Sequence, residues 1–234
     1  MEKIKLFCLP YAGSSATVYM KWKKYLHHSI QLIPIELAGR GKRIVEPLYT
    51  DIEEAVNDIY EKIQDELEDT PYAFFGHSMG SLLAFECIHK IRSQKKRMPE
   101  TIFFSGKKPP HKKMDKIYHV LPNAEFIKEI LEMGGTPKEI VEHKELLQIF
   151  IPILKADFRI VETYDYKEKG EVFDCDIVAM NGKQDNLTTD MGEWNKYTSG
   201  EFRIYNFDGD HFFIHDHLET VVNLINQELI IRRC

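Results

Sequence analysis

The stretch that decides the fold is FFGHSMGS, Phe74–Ser81. It places Ser78 between two glycines, Gly76 and Gly80, and so matches the pattern G-x-S-x-G. The pattern alone is weak evidence, because an ordinary serine in a glycine-rich bend would match it as well. Here, however, it directly follows the apolar run YAFF and directly precedes the amphipathic run SLLAFECIHKI, which predicts a strand, a sharp turn and a helix in succession. Since such a turn presents its serine hydroxyl at the edge of a sheet, we predict that Ser78 is a nucleophile.

Six short apolar runs, rich in branched and aromatic residues, extend this strand and helix pattern along the chain. They are IKLFCL (4–9), IQLIPIEL (30–37), YAFFG (72–76), TIFFSG (101–106), DIVAMNG (176–182) and FRIYNFDG (202–209). Helical patterns lie between several of them, and the clearest is DIEEAVNDIYEKIQDELE, whose apolar residues recur every three or four positions. Buried strands that alternate with helices predict an α/β fold with a mostly parallel central sheet and helices on both faces.

The alternation is interrupted at about residues 107–174, where the sequence shows helical patterns and no convincing strand. Prolines are expected to divide this insertion into short helices, and they are Pro109, Pro110, Pro122, Pro137 and Pro152. Because an insertion after the carboxyl end of a parallel strand lies beside the ligand crevice, we interpret it as a lid. The alternative is a helical subdomain that only covers sheet surface.

A serine nucleophile needs a base, and the base needs a carboxylate that orients it. In this arrangement the chain order is Ser, then Asp or Glu, then His. His211 lies in FDGDHFF, directly after the last predicted strand, and we predict it as the base. Asp185 lies in the loop after DIVAMNG and is the predicted acid, whereas Asp190 is expected to start the next helix. Metal binding by His211, His215 and His217 is an alternative, but no accompanying cysteine or acidic set is evident.

Two backbone N–H groups are expected to stabilise an oxyanion formed at this site. One belongs to Met79, the residue after the nucleophile, and the other comes from the loop after the first strand, LPYAGSS (9–15). Because small residues let that backbone approach a substrate carbonyl, we predict the N–H of Ala12 as the second donor. Tyr11 is the alternative donor, and an ordinary turn before a helix is the alternative interpretation of the loop.

Length and composition limit the class of protein. The 234 residues suit one domain spanning 1–234. No apolar run approaches the roughly 20 residues of a membrane span, and MEKIKLFCLP does not resemble a signal peptide, so we expect a cytoplasmic protein without membrane contact. A net charge of −6 gives no general reason to bind nucleic acid, and nothing predicts an oligomer, so a monomer is expected. The widely spaced cysteines predict reduced thiols, and they are Cys8, Cys87, Cys175 and Cys234.

Six ordered blocks carry a family resemblance over essentially the whole chain. They are LFCLPYAGSSATVY, IELAGRGKR, FFGHSMGSLLAFE, LPNAEFIKEILEMGGTP, MNGKQDN and FDGDHFFI. Together they resemble the type II thioesterases that accompany nonribosomal peptide and polyketide synthetases. The resemblance implies an α/β-hydrolase fold with a mobile helical lid, and its catalytic residues map onto Ser78, Asp185 and His211. It implies removal of misplaced acyl groups from the 4'-phosphopantetheine arm of carrier proteins, which restores stalled synthetases. This triad chemistry requires no metal or bound redox cofactor.

Some features leave alternatives open. The first loop reads YAGSS where a second glycine commonly follows in the family, which weakens the prediction for Ala12. Arg40 and Arg43 in GRGKR either bind a phosphate or are structural or solvated.

The segment GKKPPHKKMDK (106–116) contains five lysines, which either form a solvated loop or steer acidic carrier proteins toward the site. They are Lys107, Lys108, Lys112, Lys113 and Lys116. A carboxylesterase or lipase of oxygen esters and a non-catalytic partner protein are the competing functions.

Overall fold

The computed structural model describes residues 3–112, 116–134, 143–188 and 190–230. Its centre is a six-stranded sheet in the order β2-β1-β3-β4-β5-β6, with every neighbouring pair parallel. The strands are β1 Ile4–Leu9, β2 Ile30–Pro34, β3 Tyr72–His77, β4 Thr101–Ser105, β5 Asp176–Gly182 and β6 Phe202–Phe207. The predicted α/β class and the parallel sheet are confirmed, and two of the six strands have the predicted bounds.

Most of the helices lie where the sequence patterns predicted them. They are α1 Ile52–Ile63, α2 Met79–Ser93, α3 Asn123–Met133, α4 Lys144–Glu162, α5 Phe213–Asp216 and α6 Leu218–Ile230, and a 3-10 helix covers Ala16–Lys24. Side-chain capping defines the start of α1, because Asp51 Oδ1 accepts the N–H of Glu54 at 2.9 Å. The periodic apolar residues of α1 then lie against the sheet, as the spacing predicted.

Both faces of the sheet are covered, because alternate side chains of each strand point to opposite sides. Phe7, Phe74 and Phe104 belong to one core, which also contains the buried residues of α1 and α2. Leu6 and Phe75 belong to the other core, together with buried residues of α6 and of the 3-10 helix. The continuous apolar runs of the strands therefore reflect burial on both sides, which is the physical reason that they lack hydrophobic alternation.

The insertion between β4 and β5 contains α3 and α4, which pack together through a separate apolar cluster. The expectation that Pro152 ends a helix is wrong, because this residue lies inside the 19-residue α4. A proline inside a helix removes one backbone hydrogen bond, and the buried side chains that surround it, Ile151, Ile153 and Leu154, compensate for that loss. Pro137 lies outside the described residues.

Three of the four cysteines lie in the described ranges. Cys8, Cys87 and Cys175 are buried free thiols, and Cys234 lies outside the described residues. None of the helices in those ranges is both long and apolar enough to cross a membrane.

The imidazole of His89, on α2, packs against aromatic side chains. The His89 ring lies 4.6 Å, between ring centroids, from both Phe85 and Phe173. Its Nε2 is buried and accepts or donates no hydrogen bond within the described part of the chain. Burial, together with the charges of Lys169 and Arg92, lowers the pKa of His89 to about 3.

This histidine makes stability depend on pH. The unfolded chain takes up the proton near the ordinary pKa of 6.5, well before the folded chain does, so stability is lost as pH falls from 6.5 toward 3. The full shift would correspond to about 2 kcal/mol between pH 7 and pH 5, and solvent screening of the partly exposed ring reduces this by about half. We therefore expect His89→Phe to reduce the loss of unfolding free energy over this range by about 1 kcal/mol, as measured by urea denaturation. His28→Gln, at an exposed position, is the control and should leave the loss unchanged. An equal pH dependence in His89→Phe and the parent protein would contradict the assignment.

Candidate active site

Ser78 lies on a sharp turn between β3 and α2 and has an unusual backbone conformation. Its φ is +52° and its ψ is −115°, and it is one of three non-glycine residues with positive φ in the described ranges. Such a conformation is strained for a residue with a side chain, and it persists only where the surroundings enforce it. The turn is held by the Ser78 N–H, which donates to the Ser105 carbonyl at 2.8 Å. The elbow predicted from the sequence is therefore present, with Ser78 at its apex.

The glycines on either side of Ser78 are required by close backbone contacts. A Cβ at Gly76 would lie 2.2 Å from the carbonyl oxygen of Gly80. A Cβ at Gly80 would lie 2.2 Å from the carbonyl oxygen of Leu9, at the end of β1. Both distances are far shorter than any real carbon–oxygen contact, so any larger residue would push α2 away from β1 and β3. The G-x-S-x-G pattern thus records how closely the helix start approaches the sheet.

The loops after β5 and β6 bring Asp185 and His211 together. His211 Nδ1 is 2.7 Å from Asp185 Oδ2, and the two side chains are 11% and 1% exposed. The other carboxylate oxygen, Oδ1, accepts the N–H of Leu187 at 2.9 Å. Since both oxygens are engaged, the carboxylate has a defined orientation and holds the imidazole with Nε2 directed away from it.

Backbone hydrogen bonds connect the two loops that carry this pair. The N–H of Lys183 donates to the Phe207 carbonyl at 2.8 Å, and the N–H of Gln184 donates to the Gly209 carbonyl at 3.0 Å. The pairing of β5 with β6 therefore continues into the loops. Residues 26 positions apart in sequence are held side by side before any substrate is bound.

The other aspartates near His211 and Asp185 have different partners. Asp208 pairs with Lys183 at 2.7 Å, and Asp210 Oδ1 accepts the N–H of Phe212 at 2.8 Å. Asp190 directly precedes a 3-10 helix at Met191–Tyr197, as expected. For the alternative metal site, no group of three ligand side chains suited to a metal ion occurs among the described residues. His215 instead lies with Nε2 3.0 Å from the Tyr11 hydroxyl.

A cavity of about 680 Å³ joins the predicted site residues to the insertion. Ser78 and His211 line it at the carboxyl end of the sheet. Its wall is largely apolar, and the insertion contributes Ile130, Met133, Phe150, Leu154, Phe158 and Val161. A polar nucleophile thus faces a space in which a long apolar group can be buried.

The two predicted oxyanion donors border the same cavity. Met79 is the first residue of α2, where the N–H groups lack partners within the helix and the helix dipole favours negative charge. Ala12 also lines the cavity, and its N–H has no acceptor among the described residues. The neighbouring N–H of Gly13 is engaged, because it donates to Asp157 Oδ2 at 2.7 Å. These contacts favour Ala12 over Gly13, and the role of both donors stays a prediction.

His77, directly before Ser78, is a neighbour of the site whose role the G-x-S-x-G pattern does not indicate. Its ring centroid is 5.0 Å from that of His211, and its Nδ1 is 2.9 Å from the Ser105 hydroxyl oxygen. Complete burial, with smaller contributions from His211 and His215, lowers the pKa of His77 well below its ordinary value. The ring is therefore neutral, and it supports His211 sterically without placing a second positive charge beside it.

The two arginines of GRGKR have structural partners. Arg40 is 3% exposed and forms a two-pronged ion pair with Asp157, with distances of 2.6 and 2.7 Å. Arg43 binds Asp58 at 2.8 and 2.9 Å and also pairs with Glu46. Both guanidinium groups are thus engaged within the protein, which favours the structural interpretation over the phosphate-binding one.

The hydrogen bond between Asp185 and His211 makes a direct prediction. Asp185→Asn should slow labelling of Ser78 by a fluorophosphonate by about 10³- to 10⁴-fold, because an amide presents an N–H and favours the wrong histidine tautomer. The measurement is the labelling rate by mass spectrometry. Asp210→Asn is the matched control, since it makes the same change one residue from His211 and should remain within about threefold of the parent. Equal rates in the two variants would remove Asp185 from the acid role.

Comparisons with known proteins agree with this geometry. A family model described as a thioesterase domain matches residues 4–229. Linear gramicidin dehydrogenase LgrE of Brevibacillus parabrevis is 39% identical, over 97% of this chain and 88% of the relative. Gramicidin S biosynthesis protein GrsT of Aneurinibacillus migulanus is 36% identical, over 97% and 89%.

A solved structure is similar in fold over almost its full length. It is that of ClbQ, from the colibactin NRPS/PKS pathway, with a TM-score of 0.93 and 41% identity over 97% of this chain and 96% of ClbQ. The resemblance to thioesterases of peptide and polyketide synthesis, seen first in the six sequence blocks, is confirmed. The chain belongs to the thioesterase family.

Proposed function

We propose that this protein is a serine thioesterase that hydrolyses misplaced acyl groups from the 4'-phosphopantetheine arm of carrier proteins and so regenerates stalled nonribosomal peptide or polyketide synthetases. The observation that carries the proposal is that Ser78, on its elbow, and His211, paired with Asp185, line the same cavity as the apolar side chains of the insertion. Membership of the thioesterase family supports the reaction class, and the synthetase pathway of ClbQ supports the kind of partner.

In the proposed first step, His211 removes the proton as Ser78 Oγ attacks the thioester carbonyl carbon. The carbonyl oxygen becomes an oxyanion, which the N–H groups of Met79 and Ala12 stabilise. Asp185 holds the imidazolium that forms. The tetrahedral intermediate then collapses, the carbon–sulfur bond breaks, and the pantetheine thiol leaves with the proton from His211. The acyl group is now an ester of Ser78.

In the second step, His211 takes a proton from water as the water oxygen attacks the acyl ester. The same N–H groups stabilise the second oxyanion, and the proton returns to Ser78 Oγ as the carboxylic acid is released. Both steps use only this chain and water, so the proposal includes no metal or bound cofactor. The buried, neutral His77 lets His211 carry the transient positive charge alone.

We further propose that the insertion acts as a lid over the acyl group. Its apolar residues form much of the cavity wall, and the cluster formed by α3 and α4 is separate from the two cores of the sheet. The last turns of α4 stay fixed, because Ile160 belongs to the core that contains α1 and α2 and Asp157 is paired with Arg40, so the proposed movement involves α3 and the first turns of α4. Closure over an acyl chain would exclude water from the thioester until the acyl-enzyme forms.

The choice between a carrier-protein thioesterase and an esterase of simple oxygen esters is open to a direct test. We expect kcat/KM for an acetylated carrier protein to exceed that for acetyl-coenzyme A, and that for nitrophenyl acetate, by about tenfold or more, because the carrier adds interactions in the transition state. Ser78→Ala should abolish all three activities. Ser93→Ala, at the far end of α2, is the matched control and should have parent activity.

The opposite substrate order would reject the carrier-protein proposal. If nitrophenyl acetate were hydrolysed far more efficiently than the acetylated carrier, the protein would be a carboxylesterase. Mass spectrometry of carrier proteins loaded with acetyl, aminoacyl and peptidyl groups then identifies which misplaced groups are removed.

The structure narrows the hypothesis that lysines steer the carrier. Lys112 Nζ is 2.6 Å from Glu193 and 3.3 Å from Asp190, and Lys116 is paired with Glu129. Lys113 lies outside the described residues. Lys107 and Lys108 line the cavity and pair with no carboxylate in the described ranges. The proposed contact with an acidic carrier therefore rests on Lys107 and Lys108, at the point where the pantetheine arm would enter.

Neutralising these two lysines tests the docking role. Lys107→Gln with Lys108→Gln should raise KM about fivefold for the acetylated carrier and weaken its salt dependence, but leave an uncharged acetyl-N-acetylcysteamine substrate unchanged. Lys23→Gln with Lys24→Gln, at two exposed positions outside the cavity lining, is the matched control. Burial, assisted by the charge of Lys108, lowers the pKa of Lys107 to about 8, so KM for the carrier should also rise between pH 7 and pH 9 as this charge is lost. No difference between the two double variants would leave the segment as ordinary surface.

A further inference from the structure

A buried ion pair joins the insertion to the body of the protein beside the proposed site. The guanidinium of Arg40, in the segment after β2, donates to Asp157 of α4 from Nη1 to Oδ2 at 2.6 Å and from Nη2 to Oδ1 at 2.7 Å. The residues are 3% and 1% exposed. This is the parallel, two-pronged geometry that gives an arginine–carboxylate contact a single orientation.

Both partners of this ion pair also bind the loop after β1. Asp157 Oδ2 accepts the N–H of Gly13 at 2.7 Å, and Arg40 Nη1 donates to the Ser14 carbonyl at 3.1 Å. The loop closes on itself, because the Ser14 N–H donates to the Tyr11 carbonyl at 3.0 Å. The backbone is therefore held at the Gly13 N–H by the carboxylate and at the Ser14 carbonyl by the guanidinium.

An apolar contact holds the same glycine against α4. A Cβ at Gly13 would lie 2.7 Å from Leu154 Cδ1 and 3.0 Å from ring atoms of Phe150. Gly13 also has φ of +76°, which favours glycine over any residue with a side chain. The loop thus follows α4 closely through polar and apolar contacts at one residue.

Ala12 directly precedes this anchored position. Its N–H is free of acceptors among the described residues and borders the cavity that contains Ser78. An oxyanion donor is effective only at about 2.7–3.1 Å from the oxyanion, so a displacement of roughly half an ångström removes most of its effect. Anchoring Gly13 and Ser14 limits that displacement.

We propose that Arg40 and Asp157 are positioning residues, which place the Ala12 N–H for oxyanion stabilisation and make its position depend on α4. The proposal rests on the proposed hydrolase site. The pair is neutral overall and touches no reacting atom, so it acts through the geometry of the loop. Burial of the pair supports this role. Replacing a buried ion pair by apolar residues of similar volume often leaves a protein as stable or more stable, so stability alone does not account for an ion pair at this position.

The main test replaces the whole pair. Arg40→Met with Asp157→Leu removes the Gly13 acceptor and the Ser14 donor and leaves no buried charge unpaired. We expect kcat for an acyl thioester to fall about 10- to 1,000-fold, while KM stays within about threefold, because an interaction specific to the transition state is lost. The matched control is Arg43→Met with Asp58→Leu, which removes a second two-pronged arginine–aspartate pair that does not contact the loop. It should retain parent kcat.

A binding measurement separates positioning from general damage. A trifluoromethyl ketone with the acyl chain of the substrate forms an oxyanion with Ser78, whereas the corresponding thioether binds the same cavity without forming one. The double variant should lose affinity for the ketone by the same factor as kcat and keep its affinity for the thioether. Equal losses for both compounds, or an unchanged kcat, would overturn the proposal.

A conservative variant covers the case in which the double variant does not fold. Arg40→Lys keeps a positive charge beside Asp157 but lacks the fork that reaches the Ser14 carbonyl at the same time. We expect an intermediate loss of kcat without a change in KM, and parent kcat in Arg40→Lys would contradict the proposal.

Measurements on the parent protein distinguish failure of the proposed function from failure of the positioning proposal. If it binds the ketone but hydrolyses no carrier thioester, the proposed function fails and the positioning test still stands; if it does not bind the ketone, the positioning proposal fails as well.

Discussion

The rest of the site depends on the strained backbone at Ser78. A residue with a side chain has φ of +52° here because β3 ends and α2 begins within a single turn, and because the turn is held against β1 and β4. The close contacts at Gly76 and Gly80 leave no space for the helix to retreat to a relaxed geometry. The same approach brings the start of α2 to the cavity, so the turn that carries Ser78 also places the predicted oxyanion donor Met79 beside it.

The parallel sheet turns this local constraint into a site. Because all strand pairs are parallel, the loops after β1, β3, β5 and β6 meet at one edge, where they bring Ala12, Ser78, Asp185 and His211 together. The insertion after β4 contributes much of the apolar wall of the cavity that Ser78 and His211 line. Its helix α4 is attached to the loop after β1 through Asp157, so the apolar wall and one predicted oxyanion donor share a support. The proposed lid and the proposed oxyanion site would therefore be linked through α4.

Short sequence patterns predicted most of the secondary structure, because the propensities that form strands, turns and helices act between residues close along the chain. The six strands, the elbow and the loops of Asp185 and His211 follow from apolar runs, turn residues and chain order, and the strand positions are confirmed to within a few residues. Pro152 was mispredicted because its cost to a helix is local, whereas the packing of α4 that offsets it is not. The lysine segment shows the same limit, since the carboxylates that pair with Lys112 come from residues about eighty positions later.

The sequence by itself determined the fold class, the nucleophile elbow and the order of the predicted triad, because each is written in residues that are close along the chain or in the order of the strands. Only the tertiary structure decided what Arg40 and Asp157 do. They are 117 positions apart, and neither GRGKR nor the apolar pattern of α4 identifies the other as its partner. The structure likewise made His77 a neutral neighbour of His211 and joined the insertion to the cavity. Burial and long-range pairing set these properties, and a one-dimensional pattern of residue types does not encode which distant groups share a desolvated space.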